Sequence, residues 1–316
     1  IEAGKMVLEP VPFNIADAVE EVTDILRLRT QEKGIELLAR FASDMPRFVL
    51  GDAGRLRQVL MNLLGNAIKF TEKGHVLIDV SGTIEDGKAH LLFEIQDTGI
   101  GIPADKLDYI FSKFTQAEES TTRKFGGTGL GLAISKSLVN MMEGDVGVRS
   151  EIGKGSVFYF DVILPLAKAE DAIGNIPNID LRGKRVLVVD DYRINCEILY
   201  QYLQSWGMFC DVFNSGEEAF AAVVAAHNAG KPYHVALVDY RMSGMNGLEF
   251  SKKIHNDDSL NKNLLVMVTS SSQVASPEEL KSNGLAGFLT KPFYPEQLKA
   301  LLQIVIDAHV TNKDVG

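Results

Sequence analysis

In the second half of the chain, acidic, hydroxyl and ammonium side chains stand at the ends of strand-like runs. Asp190 and Asp191 follow the apolar run 185–189, Asp239 follows 234–238, Thr269 closes 264–269, and Lys291 follows 287–290. If those runs lie side by side as parallel strands, all five residues meet at one edge of a sheet, where ligands of such sheets bind. Carboxylates suit a hard cation, while ammonium and hydroxyl groups suit the oxygens of a phosphoryl group. The first half carries a different set. Asn62 and Asn66 are four apart in a helical pattern and Lys69 follows one turn on, so the three share a face. Asp97-Thr98-Gly99-Ile100-Gly101 ends a strand-like run, Phe111 and Phe114 follow, and Gly126-Gly127-Thr128-Gly129-Leu130-Gly131 opens a helix, with Arg123 and Lys124 just ahead of it. An amide oxygen is a neutral hard ligand, glycine lets a backbone pass close to a bound group, and free N–H groups at a helix start favour anionic oxygens.

The elements that must position these residues are legible in the apolar spacing. Ile15, Ala18, Val19, Val22, Ile25 and Leu26 recur at helical spacing between Asn14 and Lys33, Gly34 stops them, and 35–41 reads as a strand. A helix is expected over 53–70, a hairpin over 75–83 and 90–96 around Glu85-Asp86-Gly87-Lys88, a helix over 130–142, and a closing hairpin over 146–150 and 156–164. That pattern implies an α+β domain, a two-layer sandwich of helices on a mixed sheet. The second half alternates instead: strands at 185–189, 210–213, 234–238, 264–269 and 287–290, and helices at 194–206, 217–228, 248–256, 277–283 and 295–308. Five strand–helix units imply a doubly wound parallel sheet of the flavodoxin-like kind, α/β in class. Residues 167–182, without usable periodicity, read as a linker.

The four elements of the first half resemble the N, G1, F and G2 boxes of histidine kinases and of the wider ATPase family that includes gyrase, Hsp90 and MutL. The resemblance implies ATP as ligand, with Mg²⁺ on Asn66 supported by Asn62, and the adenine amino group on Asp97. The triphosphate would lie on the segment from Gly126 to Gly131, with Gly99, Gly101, Gly127, Thr128, Gly129, Leu130 and Lys69 around the nucleotide. Arg123 and Lys124 would face the γ-phosphate, under a lid formed by the polar stretch after the phenylalanines. The second half is similar to the receiver domains of response regulators. That resemblance implies Mg²⁺ on Asp190, Asp191, Asp239 and the Arg241 carbonyl, Asp239 as the phosphoryl-accepting nucleophile, Thr269 and Lys291 neutralising charge, and Phe288 as the aromatic switch. Ser243 departs from the Met-Pro usual after the acceptor. Together the halves resemble a hybrid sensor histidine kinase. The implied division is 1–9 as the end of a dimerisation helix, 10–166 as the ATP-binding catalytic domain, and 183–316 as the receiver.

Bulk properties narrow the function. The chain has 316 residues, 46% of them hydrophobic, enough for two cores. A formal charge of -10 disfavours nucleic acid and anionic lipid as partners. No apolar run reaches the roughly 18 residues that suggest a membrane span. Cys196 and Cys210, too few for a disulfide framework, fit packed thiols in the cytoplasm. The six histidines lack the acidic residue and downstream proline of the family's phosphoacceptor motif. The acceptor histidine is therefore expected on a dimerisation segment ahead of residue 10, and self-phosphorylation by this chain alone is not expected. Implied partners are that segment, in a homodimeric full-length protein, and a downstream histidine phosphotransfer protein or response regulator. Two other readings stand beside this one: an ATP-driven machine of the same fold acting on DNA or client proteins, and a non-catalytic nucleotide-sensing scaffold regulated by its receiver.

Overall fold

The computed structural model describes residues 8–112, 130–167, 180–260, 264–270 and 283–313, with side chains to 307. The chain divides into two compact units, Ile1–Gly174 and Asn175–Gly316.

In the first unit, Asn14 turns an extended segment into a helix. Its side chain accepts the Ala16 N–H at 2.9 Å, and helix α1 (Ile15–Lys33) runs until Gly34, whose φ of +67° supplies the left-handed residue that ends it. Asp52 starts α2 (Ala53–Phe70) in the same way, accepting the Arg55 N–H at 3.0 Å. The sheet beneath has the order β2 (Glu36–Phe41), β4 (His75–Glu85), β5 (Lys88–Asp97), β7 (Gly155–Pro165), β6 (Val146–Glu151), with only the β2–β4 pair parallel. Asp86 and Gly87, at φ of 50° and 76°, close the β4–β5 hairpin, the backbone a two-residue turn between twisted strands requires. Leu56, Val59, Leu60, Leu63 and Leu64 of α2 are fully buried, as are Phe93 and Phe160, whose rings stack at 4.7 Å. Helix α3 (Gly131–Met141) follows the glycine cluster.

One feature of this unit has no signature in the sequence. Val11–Asn14 (β1) and Phe48–Gly51 (β3) pair as an antiparallel ribbon. Each strand has four residues and β1 contains Pro12, so neither carries the alternation that marks a strand on its own; the pairing is a tertiary effect, tied by the Ile15 N–H on the Arg47 carbonyl at 2.9 Å.

The second unit is a five-stranded parallel sheet ordered β12 (Leu285–Thr290), β11 (Leu264–Thr269), β10 (Val235–Asp239), β8 (Arg185–Val189), β9 (Phe209–Phe213). In chain order this is 2-1-3-4-5, the flavodoxin-like arrangement. Helices α4 (Arg193–Ser205), α5 (Gly216–Asn228), α6 (Gly247–His255) and α7 (Pro295–Lys313) connect or follow the strands. The helix expected over 277–283 lies almost wholly outside the described residues. The β8 and β10 runs are buried at nearly every position, as strands covered on both faces must be.

Candidate phosphoryl-transfer sites

Because β10 lies between β8 and β11, the carboxyl ends of three strands converge, and β12 adds Lys291 from beyond β11. The Lys291 ammonium is buried and bridges two carboxylates, lying 2.7 Å from Asp190 Oδ2 and 2.8 Å from Asp239 Oδ1. Asp190 is further held by the Tyr192 N–H on Oδ1 at 2.8 Å and by Asn195 Nδ2 on Oδ2 at 2.9 Å. Burial raises the pKa of the Asp190 carboxyl, against the opposing pull of the Lys291 ammonium and the two hydrogen bonds. Asp191 is exposed, and its Oδ2 accepts from both the Ser243 N–H at 2.9 Å and the Ser243 hydroxyl at 3.0 Å. One carboxylate oxygen from each of Asp190, Asp191 and Asp239 lies within 4.8 Å of the others. This all-oxygen set carries three formal negative charges against one ammonium, which fits a hard divalent cation such as Mg²⁺. Arg241 and Asp191 line an open cavity of about 490 Å³ with Tyr240, Met242, Ser243 and Asn246. Thr269 ends β11, where its carbonyl accepts the Lys291 N–H at 2.8 Å, and Phe288 is half-buried on β12 opposite Met267.

The five residues expected at strand ends thus come from four strands to one edge. Asn195 and Cys196, whose Sγ lies 3.2 Å from the Asp190 carbonyl, join them unannounced; both sit on the first turns of α4, and nothing in their spacing marks them as neighbours of Asp190. Burial pushes the Cys196 thiol up to about 12, as expected of an inert packed thiol.

In the first unit, Asn62, Asn66 and Lys69 lie half-buried on one face of α2. Asn62 joins two elements: its Nδ2 donates to Ser135 Oγ at 2.9 Å, and a Cβ at Gly131 would fall 2.2 Å from its Oδ1, so α3 starts directly against α2. Leu130 opens α3, its carbonyl taking the Ile134 N–H at 2.9 Å. Asp97 is buried at the end of β5 and accepts the Gly99 N–H at 2.8 Å. Burial raises its pKa, opposed by hydrogen bonds from Gly99 and Ser156. The glycines of this segment have close protein neighbours: a Cβ at Gly99 would come within 2.5 Å of the Phe70 carbonyl oxygen, and one at Gly101, at φ +72°, within 2.1 Å of that of Glu151. They let the segment pack onto the end of α2 and the β6–β7 hairpin. Phe111 packs edge-on against Phe158 at 6.4 Å. Phe114, Arg123, Lys124, Gly126, Gly127, Thr128 and Gly129 lie outside the described residues. Lys33 is an addition that the sequence does not mark: from the last turn of α1 its Nζ donates to the carbonyls of Ile68 at 2.7 Å, Lys69 at 2.8 Å and Thr71 at 3.0 Å, closing the end of α2 that adjoins Gly99.

Comparison with known proteins agrees with this geometry. Residues 51–168 match the family described as histidine kinase-, DNA gyrase B-, and HSP90-like ATPase, and residues 186–303 match the response regulator receiver domain. Sensor protein GacS of Pseudomonas syringae pv. syringae is 35% identical over all of this chain and 35% of its own length. Sensory/regulatory protein RpfC of Xanthomonas campestris pv. campestris is 33% identical over all of the chain and 47% of its own length, and hybrid signal transduction histidine kinase K of Dictyostelium discoideum is 31% identical over 97% of the chain and 27% of its own length. The chain therefore spans a quarter to a half of these relatives. The crystal structure of full-length ShkA in complex with AMPPNP matches 95% of the chain and 58% of its own, at 29% identity and a TM-score of 0.67. No helix among the described residues is long and apolar enough to cross a membrane. The chain belongs, by these matches and by the geometry of its two sites, with the hybrid sensor histidine kinases, as a histidine kinase-type ATPase domain followed by a response regulator receiver domain.

Proposed function

We propose that the first unit binds Mg·ATP and passes its γ-phosphoryl group to a histidine of the dimerisation segment, and that Asp239 then accepts that group. Domain limits of 10–166 and 183–316, joined by a linker at 167–182, are part of this reading. The histidine nitrogen forms a bond to phosphorus as the bond to the bridging oxygen of ATP breaks and ADP leaves, and the imidazole gives up a proton. An Asp239 oxygen then forms a P–O bond as the P–N bond breaks, and the imidazole keeps the electron pair and takes up a proton. Asp97 would hold the adenine amino group, and Asn66, supported by Asn62, would hold the Mg²⁺ that accompanies the triphosphate, with Lys69 beside them. Gly127 to Gly131 cradle its oxygens, and Arg123 and Lys124 meet the γ-phosphate. Asp190, Asp191, Asp239 and the Arg241 carbonyl would hold Mg²⁺ in the receiver, which supplies charge neutralisation for the transferring oxygens. Thr269 and Lys291 supply the rest.

The observation that carries this reading is the Lys291 bridge between Asp190 and Asp239 beside the exposed Asp191, since it brings a nucleophile, an oxygen ligand set and a cationic side chain into one cluster. AMPPNP bound to ShkA supports an adenine nucleotide as ligand of the first unit. We place the whole protein in the cytoplasm or on its membrane face, as a homodimer that hands phosphoryl groups to a histidine phosphotransfer protein or response regulator. The test is γ-labelled ATP with the chain alone and with a separately made dimerisation segment bearing the acceptor histidine. Label is expected on the segment first, in acid-labile form, and then on the chain. Stoichiometric label on the chain alone would refute the assignment of the acceptor histidine to another segment. ATP bound without any transfer to the segment would favour the sensing scaffold.

A further inference from the structure

Ser243 stands on the loop that joins β10 to α6, and both of its donors go to one atom. Its N–H lies 2.9 Å and its hydroxyl 3.0 Å from Asp191 Oδ2. The rest of the loop is anchored elsewhere: the Tyr240 N–H on the Val268 carbonyl at 2.8 Å, the Met245 N–H on Glu217 Oε1 at 2.9 Å, and Asn246 and Glu249 exchanging hydrogen bonds at the start of α6. Ser243 thus ties this loop to the acidic cluster through Asp191.

Without a cation, three carboxylates within 4.8 Å must draw on protein donors. Asp190 and Asp239 share the buried Lys291 ammonium, and exposed Asp191 takes the two donors of Ser243. A carboxylate oxygen has two lone pairs in the plane of the group, and two donors occupy both, so a cation that takes Oδ2 must displace at least one of them. We propose that Ser243 is a latch that competes with the divalent cation for Asp191: cation binding transfers the carboxylate from the loop to the metal and frees the Ser243 end of the loop beside the acceptor, while the Met245 and Asn246 anchors hold. The inference rests on the reading that this cluster takes Mg²⁺. It gives Ser243 a role in setting cation affinity that a proline at this position, lacking both donors, could not have.

The test is calorimetric titration of Mg²⁺ into the full chain, without nucleotide, for the parent and for Ser243→Thr, Ser243→Ala and Ser243→Pro, with Asp190→Ala as the variant that should abolish the heat. Threonine keeps both donors and should match the parent. Removing the hydroxyl should tighten Mg²⁺ binding about threefold, and removing both donors about tenfold. Amide exchange gives a second readout: Mg²⁺ should speed exchange at the Ser243 N–H of the parent. Should proline lower the melting temperature by distorting the loop, the alanine variant and the exchange rate decide. Unchanged or weaker Mg²⁺ binding in Ser243→Ala, or an exchange rate at Ser243 that Mg²⁺ leaves alone or slows, overturns the latch while leaving the metal site standing. No Mg²⁺ binding by the parent overturns the metal site and the latch with it.

Discussion

At the scale of single residues, the two sites solve opposite electrostatic problems with buried carboxylates. Asp190 and Asp239 share one buried ammonium, so removing it strands both carboxyls. Lys291→Met should lower the stability of the receiver unit by about 3 kcal/mol near neutral pH, in the range found when one partner of a buried pair is lost. The deficit should shrink as pH falls, because protonation neutralises the stranded carboxyls, and it should shrink with Mg²⁺; denaturant melts across pH and Mg²⁺ concentration check both. Among the described residues, Asp97 has no such ammonium. Burial raises its pKa, so its ionised form costs folding energy above that pKa and the cost fades as pH falls through it. In the proposed pose an adenine amino group donates to Asp97 and favours its ionised form, so nucleotide affinity should fall on acidification from a higher pH than an ordinary aspartate would give. Asp97→Asn should weaken adenine nucleotide binding about tenfold and flatten that pH dependence, as a titration with a fluorescent nucleotide would show.

At the scale of elements, what is legible in the sequence is what local periodicity encodes. Helix 53–70 and strands 185–189 and 264–269 fall where the apolar spacing places them. Strand ends can be read together with the residues they carry, which is why Asp190, Asp239, Thr269 and Lys291 stand out as one set from the sequence alone. The contacts of Lys33, Asn195 and Ser243 do not, because each acts on a partner in another element and no periodicity reports such pairings. Lys33 shows the consequence. It takes up the carbonyls of Ile68 and Lys69 in the last turn of α2 and of Thr71 just beyond it, where a helix end leaves carbonyls without intrahelical N–H groups. Lys33→Met should cost the first unit about 1–2 kcal/mol, and should also weaken nucleotide binding, since the same helix end meets Gly99; Lys33→Arg should recover part of both. Thermal melts with and without nucleotide separate the two effects.

For the molecule as a whole, each unit has its own sheet, its own buried core and its own proposed site, so a defect confined to one site should leave the other's ligand response intact. Asp97→Asn should not alter receiver phosphorylation by a small donor, and Asp239→Ala should not alter nucleotide binding. The glycine cluster, a triphosphate cradle by resemblance to the G2 box, lies mostly outside the described residues. The proposed receiver role can be tested without ATP and without any histidine, because Asp239, the neighbouring carboxylates and the Lys291 ammonium lie together and a donor need bring only a good leaving group. The most direct measurement is therefore intact-mass spectrometry of the chain incubated with acetyl phosphate and Mg²⁺. A gain of one phosphoryl group is expected, lost on omitting Mg²⁺ and absent from Asp239→Ala. A gain that survives Asp239→Ala, or no gain in the parent, would contradict Asp239 as the acceptor.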